Sequence, residues 1–274
     1  MNGPANSITA EDLNTLIGTD ACPVIIDVRR RKAYDDAGRV IATARWRDHA
    51  RAAEWGSGLP KGKAVVVYCV HGHAISQSAC ALLRAAGIDA RYLEGGIDHF
   101  VAAGGVTVKK GLVPEDGPSR WVTRERPKID RIACPWLVRR FIDPDAVFHY
   151  VASDFVTDVA KETGAVPYDI PGVDFSHAGE ACSFDAFVAW AGLEDAALTD
   201  IAAIVRGADT SRPDLAPECA GLLAVSLGLS ALHGDDHAML EAALPVYDAF
   251  YAWRRSAAAE THNWVPGKTT VSRA

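Results

Sequence analysis

Short apolar runs alternate with amphipathic stretches in the first 110 residues, which is the pattern of an α/β protein. Residues 24–28 and 64–68 are largely apolar and β-branched, as in strands buried on both faces of a parallel sheet. Residues 75–84 have helical spacing, and another helix is expected to begin near Ser7 or Thr9, either of which can cap its first turn. The pattern predicts a parallel sheet flanked by helices.

Apolar residues recur at helical spacing through most of the second half of the chain. The spacing holds over 184–193, 198–205, 219–227 and 239–253. We therefore predict a predominantly α-helical region there.

An arginine lies within one apolar helical stripe of this second half. The stripe consists of Ile129, Ile132, Ala133, Trp136, Leu137 and Phe141. Arg140 falls near its middle, and its guanidinium needs a partner: a buried carboxylate, water reached by snorkelling, or a bound anion. Pro135 either kinks a helix that begins at Asp130 or occupies the first turn of one that begins at Cys134.

Charge divides the 274-residue chain unevenly. Residues 1–112 hold 14 Lys and Arg against 11 Asp and Glu, a net charge of +3. Since the whole chain has a net charge of −7, the remaining residues carry −10. Turn-forming residues concentrate between these parts, so we predict a first domain at 1–112, a linker at 113–119 and a second domain at 120–274. This asymmetry disfavours a nucleic-acid-binding surface but allows a local anion site.

Composition excludes several classes of protein. With 49% hydrophobic and 23% charged residues, the chain has the composition of a globular protein rather than a disordered one. Its longest apolar runs fall far short of the roughly 18 residues that a membrane span needs. The N-terminal residues lack the pattern of a signal peptide, and the six cysteines are widely spaced, which together predict a cytoplasmic protein without a disulfide framework.

One cysteine has a distinctive setting. Cys69 follows the predicted strand 64–68 and opens a short loop into the predicted helix 75–84. In a strand–loop–helix unit the loop N–H groups and the helix N-terminus favour a thiolate and any anion that approaches it. The alternative is that Cys69 merely ends a buried strand. The candidate anion-binding loop consists of Val70, His71, Gly72, His73, Ala74 and Ile75.

Four segments, in order, resemble the rhodanese family of sulfurtransferases. They are 27–29, 38–44, the six-residue loop that opens with Cys69, and 93–100 followed by 104–106. The resemblance implies a parallel sheet flanked by helices and a nucleophilic Cys69 that holds sulfane sulfur as a persulfide. It implies no cofactor for sulfur transfer, and six loop residues rather than seven favour sulfur chemistry over that of the related phosphatases.

The loop departs from the family at one position that bears on the substrate. Ala74 stands where many members carry arginine, and Arg39-Val40 replaces the usual His-Ile pair. The loss of a planar bidentate donor argues against thiosulfate as the natural sulfur donor.

The second half resembles the C-terminal domain of the chromate-resistance protein family. The likeness runs through 121–144, 176–185, 204–209, 235–237 and 246–254. It implies a link to chromate stress, either sensed or detoxified. Regulators of that family carry a different N-terminal portion, so a transcription-factor role is not expected.

Two sets of polar residues are further candidates. Cationic side chains could assist anion binding, although a solvated surface and ion pairs are the alternatives. Mixed histidine and carboxylate ligands suit Zn, Mn or Fe, although helix caps and surface acids explain such residues equally well. The accessory anion candidates are Arg29, Lys128, Arg131 and Arg140, and the metal candidates are His177, Asp185, Asp209 and His237.

The leading hypothesis is a rhodanese-like sulfurtransferase, similar to thiosulfate sulfurtransferase, acting in chromate or oxyanion stress. Its partners would be a small-molecule sulfur donor and a thiol acceptor, without a membrane or nucleic acid. One alternative is a protein that binds or senses chromate or a sulfate-like oxyanion. Another is a metal-dependent detoxification activity in the second domain. The oligomeric state stays open.

Overall fold

A parallel sheet organises the N-terminal half of the computed structural model, which describes residues 6–114 and 117–260. The strands are β1 Ser7–Ile8, β2 Val24–Asp27, β3 Arg39–Ile41, β4 Arg45–Trp46, β5 Val65–Tyr68, β6 Ala90–Leu93 and β7 Thr107–Lys109. The helices are α1 Ala10–Leu16, α2 Arg31–Asp35, α3 Ala52–Gly56, α4 Ala74–Ala85 and α5 Gly96–Ala102. The sheet order is β1-β6-β5-β2-β4, all parallel, while β3 and β7 form an antiparallel pair.

Local sequence explains the elements that position the loop after β5. Thr9 caps α1, since its hydroxyl accepts a hydrogen bond from the Asp12 N–H at 3.0 Å. The two predicted strands are confirmed as β2 and β5, and β5 is buried along its whole length, as a central parallel strand requires. The predicted helix 75–84 is confirmed as α4, which includes one further residue at each end.

The C-terminal half is mainly helical, as predicted. Its helices are α6 Asp130–Leu137, α7 Val156–Thr163, α8 Ser183–Ala191, α9 Ala196–Asp209, α10 Cys219–Leu232 and α11 Asp236–Ala252, with π-helical turns at Val138–Ile142 and Trp253–Ala257. It also contains a small parallel sheet that the sequence pattern did not predict. The strands are β8 Arg120–Arg124, β9 Val147–Val151 and β10 Val166–Pro167, in the order β10-β8-β9.

The helix α6 begins at Asp130 and contains Pro135 in its interior. Proline has no N–H, so the carbonyl of Arg131, four residues earlier, lacks its helical donor. The Tyr168 hydroxyl donates a hydrogen bond to that carbonyl at 3.2 Å. The partner explains how the helix accommodates a proline at this position.

One hydrophobic core extends across both halves of the chain. Leu13 and Phe100 from the first half belong to the same buried cluster as Trp136 and Tyr251 from the second. The packing between the halves is tight at Gly18, whose φ is +81°, because an added Cβ would meet the rings of Tyr251 and Phe141. Among the described residues, no helix is long and apolar enough to span a membrane.

Candidate functional site

The Cys69 side chain lies at the carboxyl end of β5, where the chain turns into α4. Its thiol is buried, and its Sγ lies 3.2 Å from the Ser76 Oγ in the first turn of α4. That distance places the start of a 12-residue helix directly against the sulfur. The helix dipole therefore favours negative charge at this atom.

Two glycines let the loop fold closely against the segment after β6. Gly72 has a φ of +70°, and a Cβ there would come within 2.6 Å of the Leu93 carbonyl oxygen. A Cβ on Gly96 would overlap the carbonyls of Cys69 and Val70. The same segment is tied to the loop by the Ile97 N–H, which donates to the Cys69 carbonyl at 3.0 Å. The strand-end cysteine is thus held by backbone contacts on both sides.

One hydroxyl near the loop can form a hydrogen bond with the Cys69 sulfur. The Ser76 Oγ lies 3.2 Å from both Cys69 Sγ and the His73 carbonyl oxygen. A hydroxyl rotates to suit its partner, so it can accept from a thiol or donate to a thiolate. His71 lies at the surface, with Nδ1 3.1 Å from Asp98, while His73 is the N-cap residue of α4 and Ala74 is its exposed first residue.

A buried ion pair supports the strand ends beneath this loop. The Arg29 guanidinium donates to both carboxylate oxygens of Asp27, and the Tyr68 hydroxyl donates to the same carboxylate at 2.9 Å. Burial, together with the Asp27 charge, raises the pKa of Tyr68 well above its usual value, so the phenol stays protonated. Since Arg29 is 4% exposed and occupied by Asp27, the structure does not present it to a ligand above Cys69.

The other accessory cations lie in the C-terminal half and not at the loop. Arg140 makes a bidentate ion pair with Asp248, which identifies the partner its apolar setting requires. Arg131 lies 3.2 Å from Asp169 and also donates to two backbone carbonyls. Lys128 is half-buried just before α6. These contacts give the two arginines structural partners in place of the predicted anion.

A second cluster gathers one histidine and three carboxylates in the C-terminal half. The His177 Nε2 lies 3.1 Å from Asp209, 3.2 Å from Asp130 and 3.4 Å from Asp169. Asp130 is the first residue of α6, Asp209 is the last of α9, and Asp169 and His177 come from the segment between β10 and α8. Residues far apart in sequence therefore converge at one point.

The electrostatics of this cluster attract positive charge. The hydrogen bond from His177 to Asp130 raises the pKa of the imidazole to about 9. Burial, reinforced by the Asp130 charge, raises the pKa of Asp209 to about 7 and also raises that of Asp169. All three shifts favour proton uptake, because the carboxylates are crowded and partly removed from water.

Two regions of the chain match known domain families. Residues 9–103 match the rhodanese-like domain, and residues 121–254 match the ChrB C-terminal domain. The chain joins a rhodanese-like domain to a ChrB C-terminal domain. The resemblances on which both predictions rested are thereby confirmed.

Individual relatives cover different parts of this two-domain chain. Protein ChrB of Cupriavidus metallidurans is 32% identical over 162 residues, 57% of this chain and 48% of that protein, so the chain spans about half the length of this curated relative. A rhodanese-related protein from Thermoplasma volcanium has 26% identity and a TM-score of 0.33, covering 38% of this chain and 97% of its own. A rhodanese homologue from Thermus thermophilus has 26% identity and a TM-score of 0.28, covering 34% and 98%.

The metal candidates in the ChrB C-terminal domain do not all come together. His177 and Asp209 meet in the cluster, whereas Asp185 accepts from the Arg206 guanidinium and the Cys182 N–H. His237 packs edge-on against Tyr150 of β9 and is not part of the cluster. The cluster instead includes Asp130, which is not among the predicted ligands.

Sequence reasoning also missed two residues whose roles depend on spatial neighbours. Ser76 follows Cys69 by seven positions, and only the turn into α4 brings its hydroxyl to the sulfur. Asp169 has a φ of +52°, a left-handed conformation that aspartate tolerates, just after β10. An aspartate soon after a strand is a usable signal only where the strand itself can be recognised, and β10 has only two residues.

Proposed function

We propose that the rhodanese-like domain is a sulfurtransferase that holds sulfane sulfur as a persulfide on Cys69. The observation that carries this proposal is the position of the Cys69 Sγ at the end of β5, 3.2 Å from the Ser76 Oγ in the first turn of α4. The helix N-terminus and the hydroxyl stabilise an anionic sulfur there without a cofactor.

The transfer takes place in two displacements. The Cys69 thiolate attacks the sulfane sulfur of the donor, so that a new S–S bond forms while the donor's own S–S or S–sulfonate bond breaks. The leaving group departs with the electron pair, as sulfite when the donor is thiosulfate. An acceptor thiolate then attacks the outer sulfur, becomes a persulfide and returns Cys69 to its thiolate form.

Mass spectrometry of the intact protein and of its peptides tests whether Cys69 is the nucleophile. After incubation with glutathione persulfide or thiosulfate, the wild type should gain about 32 Da, one sulfur atom, on the peptide that contains Cys69. Cys69→Ser should lose this adduct, whereas Cys80→Ala, which alters another buried thiol of the same domain, should keep it. An adduct that persists in Cys69→Ser, or a wild type that accepts sulfur from neither donor, would refute the assignment.

The hydroxyl beside the sulfur provides a second test. Ser76→Ala removes the donor nearest to the thiolate, so we expect persulfide formation to slow by about tenfold, the usual scale for one charge-assisted hydrogen bond. Ser78→Ala is the matched control, because Ser78 is exposed on the same helix. Equal rates for the two variants, measured by stopped-flow loss of donor, would exclude a role for Ser76.

We further propose that sulfur transfer by this chain serves cells under chromate stress. The support is the ChrB C-terminal domain fused to the rhodanese-like domain. In a host that lacks the gene, wild type should restore growth across a chromate series and Cys69→Ser should not. Equal rescue by both would show that chromate resistance does not require the Cys69 thiol.

The rival function is oxyanion binding, and one cleft favours it. A cavity of about 440 Å³, lined mainly by the N-terminal half, presents Arg31, Arg45, Arg47, Arg51 and Lys109 against two acidic side chains. Chromate or sulfate titrated by calorimetry should then bind Cys69→Ala as well as wild type, and Arg47→Gln more weakly. If Cys69→Ala does not bind the anion, the binding site lies instead at the loop that contains Cys69.

A further inference from the structure

The carboxylates around His177 share too few hydrogen-bond donors. A single imidazole nitrogen lies within 3.4 Å of oxygen atoms from Asp130, Asp169 and Asp209. One N–H can point well at only one acceptor, so the carboxylate oxygens in the other two contacts need another donor or a cation. Such an arrangement suits a positive charge placed among the oxygens better than it suits one proton.

Asp130 makes this shortage acute. Its side chain is 2% exposed, and across residues 6–114 and 117–260 the His177 ring is the only nitrogen donor that reaches it, its other hydrogen-bond contact being the Asp209 carboxyl. Asp169 differs, because Arg124 and Arg131 both lie close to its Oδ2 and the Ser183 hydroxyl donates to its Oδ1. A buried carboxylate without an outside donor is expensive unless it binds a proton or a cation.

The spacing of the donor atoms matches a coordination shell. Ligand atoms of Asp130, His177 and Asp209 all lie within 4.8 Å of one another. Metal–ligand bonds of about 2.0–2.2 Å put adjacent ligand atoms roughly 3.0–3.6 Å apart. The two contacts from His177 Nε2 to Asp130 and Asp209, 3.2 and 3.1 Å, fall in this range.

We propose that Asp130, His177 and Asp209 form a binding site for one divalent cation of the Mn²⁺ or Fe²⁺ class. Two carboxylates and one imidazole are a mixed set of oxygen and nitrogen ligands. Such a set suits Mn²⁺ or Fe²⁺ better than it suits Mg²⁺ or Ca²⁺, which prefer oxygen ligands alone. The buried thiols Cys134 and Cys182 are not among the ligand atoms that cluster with Asp130, His177 and Asp209, so the set contains no sulfur. The His177 side chain is 40% exposed, so an ion can reach the site from solvent on that side.

Asp169 completes the site without being a ligand. Its negative charge is balanced by Arg124 and Arg131, and its Oδ1 lies on the His177 side of the carboxylate. Its 3.4 Å contact with the imidazole lies beside the three proposed ligands and is not one of them. This inference does not depend on sulfur transfer, because the cluster and Cys69 belong to different domains.

Electron paramagnetic resonance of Mn²⁺ tests the site directly. The full chain, stripped with a chelator that is then removed, is titrated with MnCl₂, and the sharp signal of free aqueous Mn²⁺ reports what remains unbound. Wild type should take up one equivalent. His177→Gln, Asp209→Asn and Asp130→Asn should each bind at least tenfold more weakly, because each removes one ligand of three.

Matched controls isolate the cluster. Glu180→Gln changes an exposed carboxylate in the same segment as His177, and His237→Gln changes a histidine outside the cluster. Both should bind like wild type, as should Cys69→Ser, which separates this result from any failure of sulfur transfer. Circular dichroism checks the fold of each variant. If Asp130→Asn does not fold, the result for Asp209→Asn tests the proposal instead.

Three outcomes would overturn the proposal. Wild type could show no saturable uptake of Mn²⁺ or, under anaerobic conditions, of Fe²⁺, in which case protonated His177 is simply the counter-ion of the carboxylates. His177→Gln and Asp209→Asn could both retain wild-type affinity. Stoichiometric binding of Zn²⁺ alone would contradict the assigned class of cation.

Discussion

Position 74 is where a single side chain bears most directly on substrate choice. Ala74 is exposed at the first position of α4, next to the N-cap residue His73 and five residues after Cys69. A small apolar side chain there leaves the anion to the backbone and the helix N-terminus. If Cys69 acts as proposed, we therefore expect a donor with a neutral or bulky leaving group to suit this loop better than a compact dianion.

We predict that Ala74→Arg improves the use of thiosulfate, if Cys69 acts as proposed. A planar guanidinium at the helix start can bind the sulfonate oxygens in a bidentate manner, so kcat/KM should rise by about tenfold, mainly through KM. Steady-state transfer from thiosulfate to cyanide measures the effect. Ala74→Gln extends the side chain without charge, so an equal gain from this variant would assign the effect to packing.

At the residue scale, sequence predicted the chemistry of a side chain better than its partner. Cys69 could be singled out because its whole setting is local: a strand, a loop and a helix in consecutive residues. Arg140 required a partner, yet that partner, Asp248, lies 108 positions away on α11. Only the packing of α11 against α6 brings the two together, and helical periodicity carries no information about that pairing.

The helix α10 shows a reversal of the usual polarity. Its two serines face inward, while Leu223, Val225 and Leu227 are exposed. The Ser226 hydroxyl accepts a hydrogen bond from the Ile129 N–H at 3.2 Å. Ile129 has a φ of +41°, unfavourable for a β-branched residue, so this bond helps to hold the backbone that delivers Asp130 to its cluster.

Ser226→Ala should therefore destabilise the protein by about 1 to 3 kcal/mol, because it leaves a buried N–H without an acceptor. Urea unfolding followed by circular dichroism measures the change. Ser256→Ala is the control, since Ser256 is exposed and bonds only within its own turn, and it should alter stability by less than about 0.5 kcal/mol. A similar small effect of Ser226→Ala would mean that Ile129 does not depend on this contact.

At the element scale, long periodic segments were predictable and short buried strands were not. The strands β2 and β5 could be recognised because each is a continuous β-branched run between turn residues. By contrast, β8 places three buried residues between two arginines, and β10 has only two residues. Such short segments lack a period, and their strand character comes from pairing with β9 and with each other.

One buried carboxylate links the two halves through a network of hydrogen bonds. The Asp143 side chain is fully buried and accepts hydrogen bonds from the Arg45 guanidinium at 2.8 Å, from the Ser119 N–H at 2.6 Å and from the Asp145 N–H at 3.2 Å. Arg45 also donates to the carbonyls of Pro114 and Gly117. This network joins β4, the segment between the halves and the end of the π-helical turn, beside a continuous hydrophobic core.

Because the core is shared, we expect the two halves to unfold together rather than as independent domains. Asp143→Ala leaves a largely buried guanidinium and two backbone donors without their carboxylate, which should lower the free energy of unfolding by about 3 to 5 kcal/mol. Urea denaturation followed by tryptophan fluorescence and by circular dichroism measures both the loss and the coincidence of transitions. Asp145→Ala, an exposed neighbour, should change stability by less than about 0.5 kcal/mol. If Arg45 is the partner that matters, Arg45→Ala should have little further effect in the Asp143→Ala background, and fully additive losses would show that the two side chains act separately.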